Sequence, residues 1–266
     1  MNRLWITGEY KLSAISQRFR IEARHLPRPV EKAAIQLDYI ALEPTGTITA
    51  SALALATRYS IPVIAVNPSS NQITLLNQVQ WGGVEYIINQ YYSKEYTTEY
   101  AEKIAKATVH NIRQLTGPTT ETGNWKTDYL IALHTLQEQL KALKIEKEVE
   151  YTLLYLQAET TTAIIKAKLN PHIGYLNKGI YSLTKDLTQL FTPPVLHTLI
   201  PRILLLKQEE TLDKKQLLKH LKWSLQTPVN NKPLEQHIQQ EPKKLAQTLR
   251  NPTTQYKPFT WTKNTA

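Results

Sequence analysis

The side chains of this 266-residue chain that could do chemistry are scattered imidazoles and grouped cations, without a compact catalytic set. Its seven histidines are His25, His110, His134, His172, His197, His220 and His237. None stands at the HxxxH or HExxH spacing that puts paired ligands on one helix face, so a zinc site is not expected. The absence of cysteine removes disulfides, thiolate ligands and a cysteine nucleophile together. No serine sits in a GxSxG elbow. Glu146, Glu148 and Glu150 cluster, but Lys144 and Lys147 interleave with them. Acids are favoured at the positive end of a helix, so this group reads as a solvated helix start. The cations are more telling. Lys103, Lys106, His110 and Arg113 follow one another at helical spacing and share one helix face. Lys214, Lys215, Lys219, His220 and Lys222 flank Trp223, which sets charge beside an aromatic ring. Lys243, Lys244, Arg250 and Lys257 add a third group. With 32 Lys and Arg against 22 acids, the net charge of +10 points to a polyanionic partner.

The elements that must hold these groups change character along the chain. Hydrophobic content of 41% supports a packed core, and the 8 glycines leave little for glycine-rich phosphate cradles. Up to about residue 76 the pattern is of short strands and turns. Leu12 to Ile21 alternates at period two, and Ala34 to Leu42 is a second apolar run before Glu43-Pro44-Thr45-Gly46. Thr49 to Tyr59 reads as a short helix behind a Thr cap, followed by a buried strand at Ile61 to Val66 and another at Gln72 to Leu76. Beyond Val84 the period becomes helical. Tyr86 to Leu115 is predicted as one long helix that buries Ile87, Ile88, Ile104 and Val109, with Tyr91, Tyr92, Tyr96 and Tyr100 as core or interface residues. Further helices are predicted at Thr127 to Leu143, Glu146 to Lys168, Leu183 to Leu190, Pro194 to Gln208, Asp213 to Trp223 and Leu234 to Leu249. The fold class is therefore α+β, with a boundary near Asn77 to Gly83. No apolar run reaches the roughly 18 residues of a membrane span, and the first ten residues lack a signal-peptide core, so a cytoplasmic protein is expected.

Three stretches, in order, resemble the family of CRISPR-associated protein 1, the integrase of CRISPR adaptation. Within Ile40 to Asn67, ALEPTGTITASALALATRYSIPVIAVN is similar to the strand, turn, short helix and "IPV" strand closing that family's β domain. Tyr151 to Arg202 is similar to the family's core helix, its "GLdPyiGfLH" turn and the acid-bearing helix that follows. Ile238 to Phe259, ending in YKPF, resembles the family's final helix and "Y.PF" close. The resemblance implies an N-terminal β domain, residues 1–78, that dimerises, and a larger all-α domain, residues 84–266, that binds DNA. It implies a divalent-metal site made of a Glu, a His at the end of the turn, and acids on the next helix, and a partnership with CRISPR-associated protein 2.

Against that pattern the chain departs residue by residue. Asn177 stands at the His position, Asp186 keeps the first acid, Gln189 replaces the second, and His197 replaces the Asp after the proline-rich turn. The stretch that should carry the family's Glu is missing, and Glu138 and Glu146, which could substitute, lie in no matching motif. One carboxylate with two neutral amides is a poor cage for Mg²⁺ or Mn²⁺. The expectation is a DNA-binding subunit with a vestigial site at Asn177, Asp186 and Gln189, holding no metal or only weak Mg²⁺ or Mn²⁺ at Asp186. Lys103, Lys106, Arg113, Lys215, Lys219 and Lys222 are the candidate contacts to duplex or branched DNA, read with little sequence preference. The partner subunit would be a second copy or an intact relative. The alternative is an active metal-dependent integrase or endonuclease.

Overall fold

The computed structural model describes residues 2–24, 26–77, 79, 84–93, 97–251 and 253–263, with backbone alone at 84–86. His25, Tyr96 and most of the expected boundary at 77–83 lie outside these residues. The chain divides into two compact units, Met1–Gln80 and Trp81–Ala266.

The N-terminal unit holds two four-stranded sheets. Strands β1 (Arg3–Ile6), β2 (Tyr10–Ile15), β3 (Arg18–Ala23), β4 (Val30–Ala33), β5 (Tyr39–Leu42) and β6 (Thr47–Ile48) precede helix α1 (Ala50–Arg58), which β7 (Val63–Asn67) and β8 (Gln72–Leu75) follow. One sheet runs β1-β5-β7-β8, with β1, β5 and β7 parallel and β8 antiparallel. Every residue of β5 is buried, which suits the continuous apolar run of a strand inside a parallel sheet. The other sheet runs β4-β3-β2-β6. Here Leu12 to Ile21 is two strands rather than one, turned back at Ser16, whose φ is +56°. Ala34 to Leu42 likewise begins as a 3₁₀ turn (Ala34–Gln36) and becomes a strand only at Tyr39. Helix α1 starts at its expected cap, where the Thr49 hydroxyl accepts from the Ala52 N–H.

The second unit is helical apart from one hairpin. It comprises α2 (Val84–Tyr92), α3 (Thr97–Thr116), α4 (Trp125–Ala142), α5 (Glu146–Lys166), α6 (Ser182–Gln208), α7 (Lys214–Gln226), strands β9 (Pro228–Val229) and β10 (Lys232–Pro233), and α8 (Leu234–Arg250). The single helix expected over Tyr86 to Leu115 is thus two, α2 and α3. Ile88, Tyr91 and Tyr92 of α2 face solvent, whereas Tyr100 packs on Tyr175 and Tyr256. Helix α5 is buried on nearly all sides, from Val149 to Ile165, and forms the centre of the unit.

Helix α6 runs unbroken through Pro193, Pro194 and Pro201, where the sequence predicted a break after Leu190. A proline removes the donor for the carbonyl four residues back. For Pro194 that carbonyl is Leu190 O, and it receives the Asn111 Nδ2 of α3 at 2.9 Å. Asn111 also donates to Phe259 O and accepts from Trp261 N, so one buried amide repairs α6 and straps down the C-terminal segment. Glu241, fully buried in α8, holds the same segment through Tyr256 OH and Phe259 N.

Candidate functional site

The turn between α5 and α6 folds onto the first turns of α6. Gly174 lies against that helix so closely that a Cβ there would fall 2.5 Å from the Ser182 carbonyl carbon and 2.7 Å from Asp186 Oδ2. This approach aims consecutive backbone N–H groups at the Asp186 carboxylate. Oδ2 accepts from Tyr175 N at 2.6 Å and Leu176 N at 3.0 Å; Oδ1 accepts from Asn177 N at 2.7 Å and Asn177 Nδ2 at 2.8 Å. Asp186 is fully buried. Burial pushes its carboxyl above the ordinary value, against the lowering effect of those hydrogen bonds. The structure therefore brings Asn177 and Asp186 together, as a turn and the carboxylate that caps it.

Gln189 is engaged by a residue the sequence did not single out. Tyr129, on α4, donates to Gln189 Oε1 at 2.5 Å. Burial holds the Tyr129 hydroxyl protonated, its pKa pushed up to about 12. The face that α4 turns inward carries Tyr129, Ala132 and Leu136, with no acid among its buried residues. Glu138 is exposed and engages Lys141 at 2.9 Å. Glu146 sits in the first turn of α5, as expected of a helix-start acid. His197 stacks on Trp261 with ring centroids 5.2 Å apart, and burial holds its imidazole below the ordinary value.

The residues present do not fit a divalent ion. Mg²⁺ and Mn²⁺ need several charged oxygens with lone pairs to spare. Asp186 has both oxygens engaged twice over, and its neighbours Asn177, Gln189 and Tyr129 are neutral. Among the described residues no group of three or more His, Asp or Glu could hold a metal ion.

The candidate cations fall into two electrostatic settings. On α3, Lys103 pairs with Glu99, Lys106 with Glu102 and Arg113 with Glu121, while His110 Nε2 contacts Trp261 O at 3.1 Å. That stripe is largely compensated from within the chain. Helix α7 contains no acid. Lys215, Lys219 and Lys222 are exposed along it beside Trp223, and the Arg202 guanidinium of α6 lies 5.4 Å from the Trp223 ring centroid. His220 is held below the ordinary histidine value by burial and then by Arg202 and Lys219, a sign of the positive field there.

In sequence, the chain matches no protein-family model and no curated protein. Its backbone is more informative. A Cas1 protein from Thermotoga maritima superposes with a TM-score of 0.75 at 14% identity, over 99% of this chain and 100% of that one. The chain has a Cas1-like fold. A casposase bound to integration product is as similar, with a TM-score of 0.75 at 14% identity over 96% of this chain and 92% of that one. A chain of a Cas6-RT-Cas1–Cas2 complex gives a TM-score of 0.79 at 11% identity, with 97% of this chain matched to 36% of that longer one. The α+β class and the family resemblance expected from the sequence hold for the fold. Among the described residues no helix is long and apolar enough to cross a membrane.

Proposed function

We propose that this protein is a cytoplasmic, DNA-binding subunit with a Cas1-like fold that supplies binding surface rather than metal-dependent chemistry. The observation that carries the reading is Asp186, the one retained acid, with both carboxylate oxygens committed to the backbone of residues 175–177 and to the Asn177 amide. A carboxylate so engaged would have to surrender hydrogen bonds to three consecutive N–H groups before it could bind an ion. On the DNA side, α7 is the main contact through Lys215, Lys219 and Lys222, and the compensated α3 stripe of Lys103, Lys106 and Arg113 is secondary. The fold is shared with a Cas1–DNA complex at a TM-score of 0.67 and 13% identity, and with a chain of a complex containing Cas2. Cas2-type proteins are therefore a second partner class. Self-association through the N-terminal unit belongs to the same reading: β4 is an edge strand, and Ile35 beside it is 83% exposed.

The test is incubation of the purified protein and Asp186→Ala with branched DNA in Mg²⁺ and in Mn²⁺. Neither should cut or join DNA, while both bind it. Metal-dependent cleavage by the natural protein that vanishes in Asp186→Ala would establish the competing reading, an active integrase or endonuclease. Binding should be salt-sensitive, with a log–log slope that flattens by about two to three units when Lys215, Lys219 and Lys222 are replaced together, at about 0.9 per phosphate contact. Sedimentation should give a dimer; a clean monomer would remove the self-association part alone.

A further inference from the structure

An exposed indole on a basic helix asks for more than a phosphate backbone. Helix α7 buries Leu217, Leu218, Leu221 and Leu225 and turns Lys215, Lys219, Lys222 and Trp223 to solvent. From Lys215 to Trp223 this stripe rises about 12 Å, at about 1.5 Å per residue. Trp223 leaves 46% of its surface open even though the helix has an apolar face available to bury it. The Arg202 guanidinium, 5.4 Å from the ring centroid, orders the indole through a cation–π contact and adds a further positive charge. The acid nearest in sequence to α7, Asp213, is spent as its N-cap, accepting from Gln216 N at 2.6 Å. Among the described residues no carboxylate pairs with Lys215 or Lys219.

We infer that the Arg202–Trp223 surface, with Lys215, Lys219 and Lys222, is a binding site for single-stranded nucleic acid, in which an unpaired base stacks on the Trp223 indole. The inference rests on the DNA-binding reading above and goes further in naming the strand state. Lysines alone serve a duplex, whose base faces are hidden in the stack. A solvent-facing indole gains a partner only where a base face is free, at an overhang, a fork or a flipped nucleotide. One ring amid cations is too small an apolar face to lie in a lipid interface.

The experiment compares full-length protein, Trp223→Ala, Trp223→Phe and a Lys215/Lys219/Lys222→Gln variant for binding to a labelled oligothymidylate and to a blunt duplex. Thermal melts confirm that each variant folds. Trp223→Ala should weaken oligothymidylate binding by about five- to a hundredfold, the range of one base–aromatic stack. It should change duplex binding less than about twofold, Trp223→Phe should recover most of the loss, and the lysine variant should weaken both ligands. If Trp223→Ala binds oligothymidylate as tightly as the natural protein, or loses both DNAs equally, the stacking site is overturned while DNA binding stands. Trp223-dependent binding of polyglutamate at equal affinity would overturn it in favour of an acidic protein partner. Failure of the natural protein to bind either DNA at low salt would overturn the broader reading as well.

Discussion

Replacing Asp186 by Asn separates a turn-capping carboxylate from a metal ligand. The Asn amide would keep one acceptor oxygen for two of the present donors and turn an NH₂ group toward the other two, among Tyr175 N, Leu176 N, Asn177 N and Asn177 Nδ2. Each buried donor left unpaired costs about 1–3 kcal/mol. Part of this is offset, because a neutral amide avoids the desolvation that now raises the carboxyl pKa. The net loss should be on the order of 2–4 kcal/mol, or about 10 °C in melting temperature at about 2–4 °C per kcal/mol for a unit of this size. A cluster of carboxylates built for an absent ion behaves oppositely, since removing one charge relieves repulsion, and added metal raises the melting temperature of the natural protein. The assay is a thermal melt of both proteins in EDTA and in Mn²⁺. An Asp186→Asn variant as stable as the natural chain in EDTA, or a Mn²⁺-dependent rise that the substitution abolishes, would refute the capping argument.

Asn111→Ala strips Leu190 O, Phe259 O and Trp261 N of partners; it should cost on the order of 3 kcal/mol and release the C-terminal segment to limited proteolysis, whereas an unchanged digestion pattern would show the segment is held otherwise. Burial holds His172, His197, His220 and His237 below the ordinary value of 6.5. The unfolded chain therefore takes up protons first, and stability present above pH 6.5 should be lost as pH falls through 6.5 toward the folded values. Asp186 and Glu241, both raised by burial, act in the opposite sense at more acid pH, protonating first in the folded chain. His172→Gln, which keeps an acceptor for Tyr181 N, should flatten the histidine-linked fall; a pH profile identical to that of the natural protein would exclude His172 from it. Asn177→His with Gln189→Glu should give no Mn²⁺-dependent rise in melting temperature, whereas adding Tyr129→Glu should, because only then does α4 bring an acid to the site; a rise in the double variant would show that two acids and an imidazole suffice.

The fold was readable wherever local pattern and tertiary role agree. The Thr49 cap, the apolar run of β7 and the length of α5 are cases of that kind, since a capping oxygen, a buried strand and a buried helix each leave a local mark. The misread elements share a different cause: a remote partner changes what a local signal means. Leu12 to Ile21 keeps its alternation across the Ser16 turn because Leu12 faces Ile21 and Ala14 faces Phe19 on one side of the hairpin. Pro193 and Pro194 signal a stop, yet α6 continues because Asn111, 79 positions from Leu190, supplies one of the missing donors. Tyr129 is the sharpest case. In sequence it is one aromatic on the inner face of α4, and only its 60-position reach to Gln189 makes it part of the site. That reach changes the meaning of the substitutions themselves. Counted by type, Asn177 and Gln189 are two lost ligands. In place, the Asn177 amide supplies a donor that Asp186 accepts, and the Gln189 amide supplies an acceptor that the Tyr129 hydroxyl uses. Asn177 is bonded to Asp186 and Gln189 to Tyr129, so reverting Asn177 or Gln189 breaks a bond before it can rebuild a ligand.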